Sequence, residues 1–498
     1  MGARLSLTAR ELLDRTLDAG SWESWDAAVR DPDGIDPRYA AELAAVRELT
    51  GLDESVVTGA GRLCGRRVAV VACEFRFLGG SIGVASAERL VSAVERATAE
   101  GLPLLASPTS GGTRMQEGTI AFLQMVKISA AIAAHRAVAL PYLVYLRHPT
   151  TGGVFASWGS LGHVTVAEPG ALIGFLGPRV YKALYGVDFP DGVQRAENLY
   201  RHGLVDAVLP PEEVAGIADR ALRVICAPRQ GLPRPPALAT DPLADTPAWD
   251  SITRSRRPER PGVRRLLRHA AQDVVPLHGT QEGESAPGLI LALARFGAAP
   301  AVVLGQDRRG QTPDSPLGPG ALRAARRGMR LAQELRLPLV TVVDTPGAAL
   351  SKEAEEGGLA GEIARCLAEL VTLDAPTLCV LLGQGTGGGA LALLPTDRVL
   401  CAEHAWLSPL PPEGASAIIH RTTDRAPEMA AAQGVRSRDL LAAGIVDRIV
   451  AERPDAADEP EPFLARLAQV IEHELVGLLD RSPAELRAAR AERYRRLG

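Results

Sequence analysis

The sequence predicts an α/β protein in which one layered unit is written twice. Three observations carry that prediction. β-rich runs such as Tyr142 to Leu146 and Thr377 to Leu382 alternate with helical stretches, the pattern of βα crossover units rather than an antiparallel meander. In each half, a glycine-bearing turn follows two of those runs. Matching segments also recur at one spacing: Leu102-Pro103-Leu104 returns as Leu337-Pro338-Leu339, and Ala167-Glu168 as Ala402-Glu403, each 235 residues later. Gly203-Leu204-Val205-Asp206 is echoed by Gly444-Ile445-Val446-Asp447.

Taken in order, residues 8 to 48 read as helical, opened by a capping box of Thr8 and Glu11, with Leu12, Leu13, Leu17, Trp22 and Trp25 available to pack it onto the body. A strand is expected over Arg67 to Phe75, then the turn Leu78-Gly79-Gly80-Ser81-Ile82-Gly83 and a helix over Ala85 to Glu100. Pro103 to Ser107 reads as a strand ending in the turn Thr109 to Gly112, followed by a long apolar helix over Glu117 to Val138. Tyr142 to Leu146 leads into the paired glycines Gly152 and Gly153, and Val164 to Ala167 makes another strand. The second half repeats this with a strand at Ala301 to Gly305, a helix at Gly320 to Leu335, the turn Asp344-Thr345-Pro346-Gly347, and Thr386-Gly387-Gly388-Gly389-Ala390 after its own β-rich run. Proline-rich residues from Cys226 to Asp250 read as a linker, and the basic run Arg256 to His269 as the solvated start of the second domain. A helix over Phe463 to Leu479 and a last one capped by Ser482 with Pro483 at its first position close the chain. The expected domains are 1–225, a linker 226–258, and 259–498.

Composition excludes several classes. The 498 residues are 46% hydrophobic, enough for large cores, and the net charge of −4 gives no electrostatic reason to bind nucleic acid or a membrane. Six cysteines without a C-x-x-C pair argue against a zinc site and a disulfide framework, and for thiols in a reducing cytoplasm. No uninterrupted apolar run approaches the ~18 residues of a membrane span.

Two familiar motifs are weak here. Gly79-Gly80-Ser81-Ile82-Gly83 matches the G-x-S-x-G elbow of a serine hydrolase, but no histidine stands where a base would be needed. Gly383, Gly385 and Gly388 match G-x-G-x-x-G, yet the next strand begins near Val399, too soon for a dinucleotide fold. What recurs in both halves is a pair of glycine turns presenting backbone amides at strand ends. Such amides suit an oxyanion, where one lost donor costs roughly 3 kcal/mol of transition-state stabilisation. Two cradles imply two developing negative oxygens, with no side-chain base required.

These residues carry a family resemblance. Phe77 to Gly83, Ser110-Gly111-Gly112-Thr113-Arg114-Met115-Gln116-Glu117-Gly118, Pro149 to Gly153 and Ala167 to Phe175 closely resemble the β subunit of bacterial acetyl-CoA carboxylase carboxyltransferase. Asp344 to Ala348, Gly388 to Ala392 and the terminal Arg493-Tyr494-Arg495-Arg496-Leu497 resemble its α subunit, so the chain looks like a β–α fusion. The resemblance implies a crotonase-like domain of ββα superhelical turns in each half. It implies carboxyl transfer from carboxybiotin, held on a separate biotin carboxyl carrier protein charged by a biotin carboxylase, to an acyl-CoA, with acetyl-CoA the default and no metal. Carried over, Gly152 and Gly153 belong to the first cradle, and Gly388, Gly389 and Ala390 to the second. Gly111, Gly112 and Arg114 line the acyl-CoA side, Gly347 and Ala348 the biotin side. A homodimer or a multiple of one is implied. Three departures stand out: there is no four-cysteine zinc ribbon, the loop after Gly347 reads Ala348-Ala349-Leu350-Ser351-Lys352 where the family has an aromatic followed by Pro-Gly, and Arg308 to Pro319 is short. The rivals are a biotin-dependent decarboxylase or transcarboxylase, a hydrolase using Ser81, and a non-catalytic carboxylase scaffold.

Overall fold

Each half of the chain builds a mixed sheet that begins antiparallel and becomes parallel. The computed structural model describes residues 7–31, 34–238 and 242–497. Two compact units result, Met1–Leu222 with Gln281–Gly283, and Arg223–Thr280 with Glu284–Gly498. Strands of the first are β1 (Glu23–Ser24), β2 (Val56–Leu63), β3 (Arg66–Cys73), β4 (Leu104–Ser107), β5 (Tyr142–Leu146), β6 (Thr150–Thr151), β7 (Val164–Ala167), β8 (Ile173–Gly174) and β9 (Ala207–Val208). Its main sheet runs β1-β2-β3-β4-β5-β7-β9, while β6 pairs β8. In the second unit β10 (Gln272–Leu277), β11 (Leu289–Phe296), β12 (Ala299–Gln306), β13 (Leu339–Thr345), β14 (Thr377–Thr386), β15 (Arg398–Ala402) and β17 (Arg448–Val450) repeat that order, and β16 (Trp406–Ser408) pairs the end of β14.

The duplication extends to register. Ala69 faces Leu104 across β3–β4, and Val302 faces Leu339 across β12–β13. The echoed Gly-Leu/Ile-Val-Asp segments have one physical cause. Gly203 and Gly444 take the left-handed conformation (φ +64° and +73°). Each aspartate then clips a neighbouring strand, Asp206 donating its N–H to the Thr165 carbonyl and accepting from the Thr165 N–H at 2.7 and 2.8 Å. Asp447 does the same with Val399, at 2.8 and 2.7 Å.

In the first unit, helices Val84–Ala99 and Gly118–Ala137 pack Leu90, Val94, Ile128 and Ile132 onto Val71, Leu104, Tyr142 and Val144. In the second, helix Pro319–Leu335 crosses close to β12 because Gly328 has no side chain; a Cβ there would lie 2.5 Å from Leu304 Cδ2.

Several expectations are corrected. The region 8 to 48 holds two helices, Ala9–Thr16 and Pro37–Thr50, with the short strand Glu23–Ser24 between them. The capping box of Thr8 and Glu11 forms, but Gly20 turns left-handed (φ +70°) and Trp22 then lies against Gly59 of β2. Within the stretch 226–258, helix Ala248–Ser255 packs Ile252 in a cluster with Trp406, and residues 239–241 lie outside the described residues. The basic run is not simply solvated: Arg260 is 1% exposed and donates to Glu452 Oε2 at 2.6 Å. Met115–Ala137 is long and apolar enough to cross a membrane by composition alone, with mean hydropathy 1.3 over its most apolar window. Gln124 and Lys127 interrupt the run, and the helix buries Met125, Ile128 and Ile132 in the core.

Candidate active site

The two glycine turns of the first unit meet at the ends of β4 and β5. Ser110 Oγ accepts the Gly112 N–H at 3.0 Å, and Gly112 sits at φ +113°. Gly111 N–H donates to the Gly79 carbonyl at 2.8 Å. Gly80 has steric cause to be glycine, since at φ +62° a Cβ would lie 2.1 Å from the Thr109 carbonyl oxygen. The second turn carries Gly152 at φ +65°, its N–H shared between the carbonyls of Gly174 and Phe175. A Cβ on Gly112 would be 3.7 Å from the Gly153 nitrogen, so Gly111, Gly112, Gly152 and Gly153 form one backbone cluster. Met125 Cγ and Thr113 Oγ1 lie 3.3 and 3.5 Å from where a Gly153 Cβ would stand.

Arg114 takes a different role from the expected acyl-CoA contact. Its guanidinium is buried, 1% exposed, and paired with Glu54, Nη2 to Oε2 at 2.8 Å, with further bonds to Tyr39 Oη and the Ser81 carbonyl. Burial works against its charge, but the Glu54 hydrogen bond and Coulomb attraction outweigh that and hold its pKa above the ordinary value. Arg114 therefore braces the turn at Gly112 from behind. Ser81 belongs to the same brace: its hydroxyl accepts from Arg114 Nε at 3.3 Å rather than facing a histidine, so the hydrolase triad does not assemble.

The second unit reproduces the arrangement with different side chains. Thr345 Oγ1 accepts the Gly347 N–H at 3.1 Å, as Ser110 does for Gly112, and Gly347 lies at φ +139°. Ala348 pairs with Leu317 as Thr113 pairs with Ile82. Beyond β14, Gly387 sits at φ +65°, the same value as Gly152 and 235 residues after it. Gly387 and Gly388 are thus the structural counterparts of Gly152 and Gly153, and Gly387 was missed because a run of three glycines gives no register.

Helix Gly387–Leu391 starts here with Thr386 as its N-cap. The helix is a single turn, so the amides at its start, those of Gly388 and Gly389 among them, lack the partners four residues earlier that a helix interior would supply. A Gly389 Cβ would fall 3.4 Å from the Ala348 nitrogen, so Gly347, Ala348, Gly388 and Gly389 are brought together. Leu350, two residues on, is 97% exposed.

Side-chain acid–base chemistry has little support around these clusters. Burial pushes the thiols of Cys73 and Cys379 up to about 11 and about 12, so both stay protonated. Burial lowers His135 to about 4, leaving it neutral. Asp344, next to last in β13, is 1% exposed, and desolvation raises its pKa although Gln384 N–H donates to it at 3.1 Å. What both clusters offer is fixed backbone dipoles at glycines with no Cβ to block an approaching oxygen.

Known proteins match this chain over nearly its whole length. Residues 3–487 match the model of the carboxyl transferase domain. The protein named "Probable biotin-dependent acyl-coenzyme A carboxylase beta3 subunit" in Mycobacterium tuberculosis is 64% identical over 492 residues, covering 99% of each chain. The acetyl-coenzyme A carboxylase carboxyl transferase subunits beta/alpha of Salinispora arenicola are 39% identical across 100% of this chain and 92% of that one. Among solved structures, transcarboxylase 12S superposes with a TM-score of 0.73 at 23% identity, over 93% of this chain and 89% of that one.

Proposed function

Because the chain belongs to the carboxyl transferase domain family, we propose that it is the carboxyltransferase subunit of a biotin-dependent acyl-CoA carboxylase, with acetyl-CoA as default acceptor and malonyl-CoA as product. The observation that carries this is the paired cluster of glycine turns, built twice with left-handed Gly152 and Gly387 at identical φ. Carboxybiotin on a separate carrier supplies the carboxyl group and, once that has left, the base that takes the α-proton. In this reading Gly153, beside Gly111 and Gly112, receives the thioester oxygen, whose charge grows as the α-carbon is deprotonated. Gly388 and Gly389, beside Gly347 and Ala348, receive the ureido oxygen. Absence of side chains at these positions lets the amides close on each oxygen and keeps water out.

The same reading makes the protein a homodimer or a multiple of one. Helix Gly118–Ala137 leaves Ile120, Phe122, Leu123 and Val126 more than half exposed, an apolar face that a second copy would cover. Sedimentation analysis should find no free monomer at micromolar concentration, and Phe122→Glu should release it. A monodisperse monomeric wild type would end this part of the reading.

The central test is reconstitution. The purified chain, with ATP, bicarbonate, a biotin carboxylase and a biotinylated carrier, should carboxylate acetyl-CoA or another short acyl-CoA. Carrier that is charged but never discharged to any acyl-CoA would overturn the assignment and favour a scaffold. Net malonyl-CoA breakdown under the same conditions would favour a decarboxylase.

A further inference from the structure

Duplicated halves invite comparison of what holds each pair of turns, and here the two units part company. In the first unit the strand ends are tied by Arg147, fully buried, which donates from Nε to Ser107 Oγ at 2.9 Å and from Nη2 to the carbonyls of Ser107 and Cys73. Cys73 is the last residue of β3, and the Ala69–Leu104 and Val302–Leu339 pairings make Gln306, the last residue of β12, its counterpart. Gln306 is 0% exposed, and both ends of its amide are used. Nε2 donates to the Gly389 carbonyl at 2.7 Å, and Oε1 accepts the Asp344 N–H at 3.2 Å.

Those two partners are telling. Asp344 precedes the turn Thr345-Pro346-Gly347, and Gly389 lies in the other turn, so one side chain spans both amide-bearing segments of the second cluster. The Gly387–Leu391 helix is a single turn opened by three glycines, the backbone with most conformational freedom to lose. The Gly389 carbonyl has no residue 393 inside that helix to donate to it, and the Gln306 amide takes the place of the missing donor. Fixing this carbonyl fixes the plane of its peptide and, through a shared Cα, limits the preceding one that carries the Gly389 N–H.

We infer that Gln306 is a positioning residue of the second cradle, holding the Gly388–Gly389 amides at a set distance from the turn at Gly347 so that they meet the oxygen of the carboxyl donor. This rests on the proposed carboxyltransferase reading. Gln306 touches no substrate. Its effect should fall on the step that uses the second cluster and leave acyl-CoA binding by the first cluster unchanged.

Two variants and one measurement on the wild type test it in the reconstituted system. Gln306→Met keeps length and loses both hydrogen bonds; Gln306→Glu, assayed at a pH where its carboxyl is ionised, keeps the acceptor for Asp344 and loses the donor to Gly389. Both should lower kcat at least tenfold with the KM for acyl-CoA within twofold of wild type. The thermal midpoint of Gln306→Glu should move too little to account for that loss. Hydrogen exchange of the peptide spanning 386–392 in the wild type should be slow and should accelerate in whichever variant folds. Unchanged kcat, a rise confined to the acyl-CoA KM, or an unprotected 386–392 segment in the wild type would each overturn the inference, the last even if neither variant folds. A wild type that carboxylates no acyl-CoA would instead count against the parent reading, whatever the exchange data say.

Discussion

Gly153 and Gly80 are both glycines at turns, yet their substitution should fail in different ways. A methyl on Gly153 would meet the flexible Met125 side chain at 3.3 Å, which can yield. Gly153→Ala should therefore fold with a near-native thermal midpoint while kcat in the reconstituted assay drops about 100-fold, the scale of losing one oxyanion donor. At Gly80 the obstacle is the Thr109 carbonyl, 2.1 Å from a Cβ, on a left-handed backbone. Gly80→Ala should cost stability itself, on the order of 2 kcal/mol or more by denaturant titration.

The Arg260–Glu452 pair gives a pH signature at the same scale. Burial raises the Glu452 carboxyl, but the Arg260 charge and hydrogen bond win and hold it below its ordinary value. A depressed carboxylate stabilises the fold above the unfolded value near 4.5, and that contribution is lost as pH falls through the folded one. Glu452→Gln, which leaves the buried Arg260 only the longer ionic contact to Asp455 at 3.4 Å, should cost roughly 3 kcal/mol at pH 7. The gap to wild type should shrink in denaturant titrations below pH 4.5; a constant gap would refute the ion-pair account.

Among the elements, the strands and turns that touch the site were legible because their signals are local. Tyr142–Leu146, Val164–Ala167 and the turn at Gly112 each announce themselves within a few residues. β2 and β11 were not, although each is the antiparallel neighbour of the strand that starts the parallel part of its sheet. Gly59 and Gly61 dilute the pattern in β2, and they are there to admit Trp22 and Leu17, which no local window reveals. The role of Arg114 was hidden for a similar reason, since its partner Glu54 lies 60 residues away. The Asp206 clip, by contrast, was visible as a repeat before its cause was known. Asp206→Ala should remove the acceptor for the buried Thr165 N–H and lower stability by about 1–3 kcal/mol, with Asp206→Asn recovering part of it.

At the scale of the whole molecule, duplication was the strongest statement the sequence made, and two sheets of identical strand order bear it out. The units have diverged in how they secure equivalent turns, by an arginine in one and a glutamine in the other. Both units belong to one polypeptide. That covalent join sets stoichiometry: every ribosome that finishes the message delivers one copy of each unit, so neither can accumulate as an orphan and no separate control of their ratio is needed.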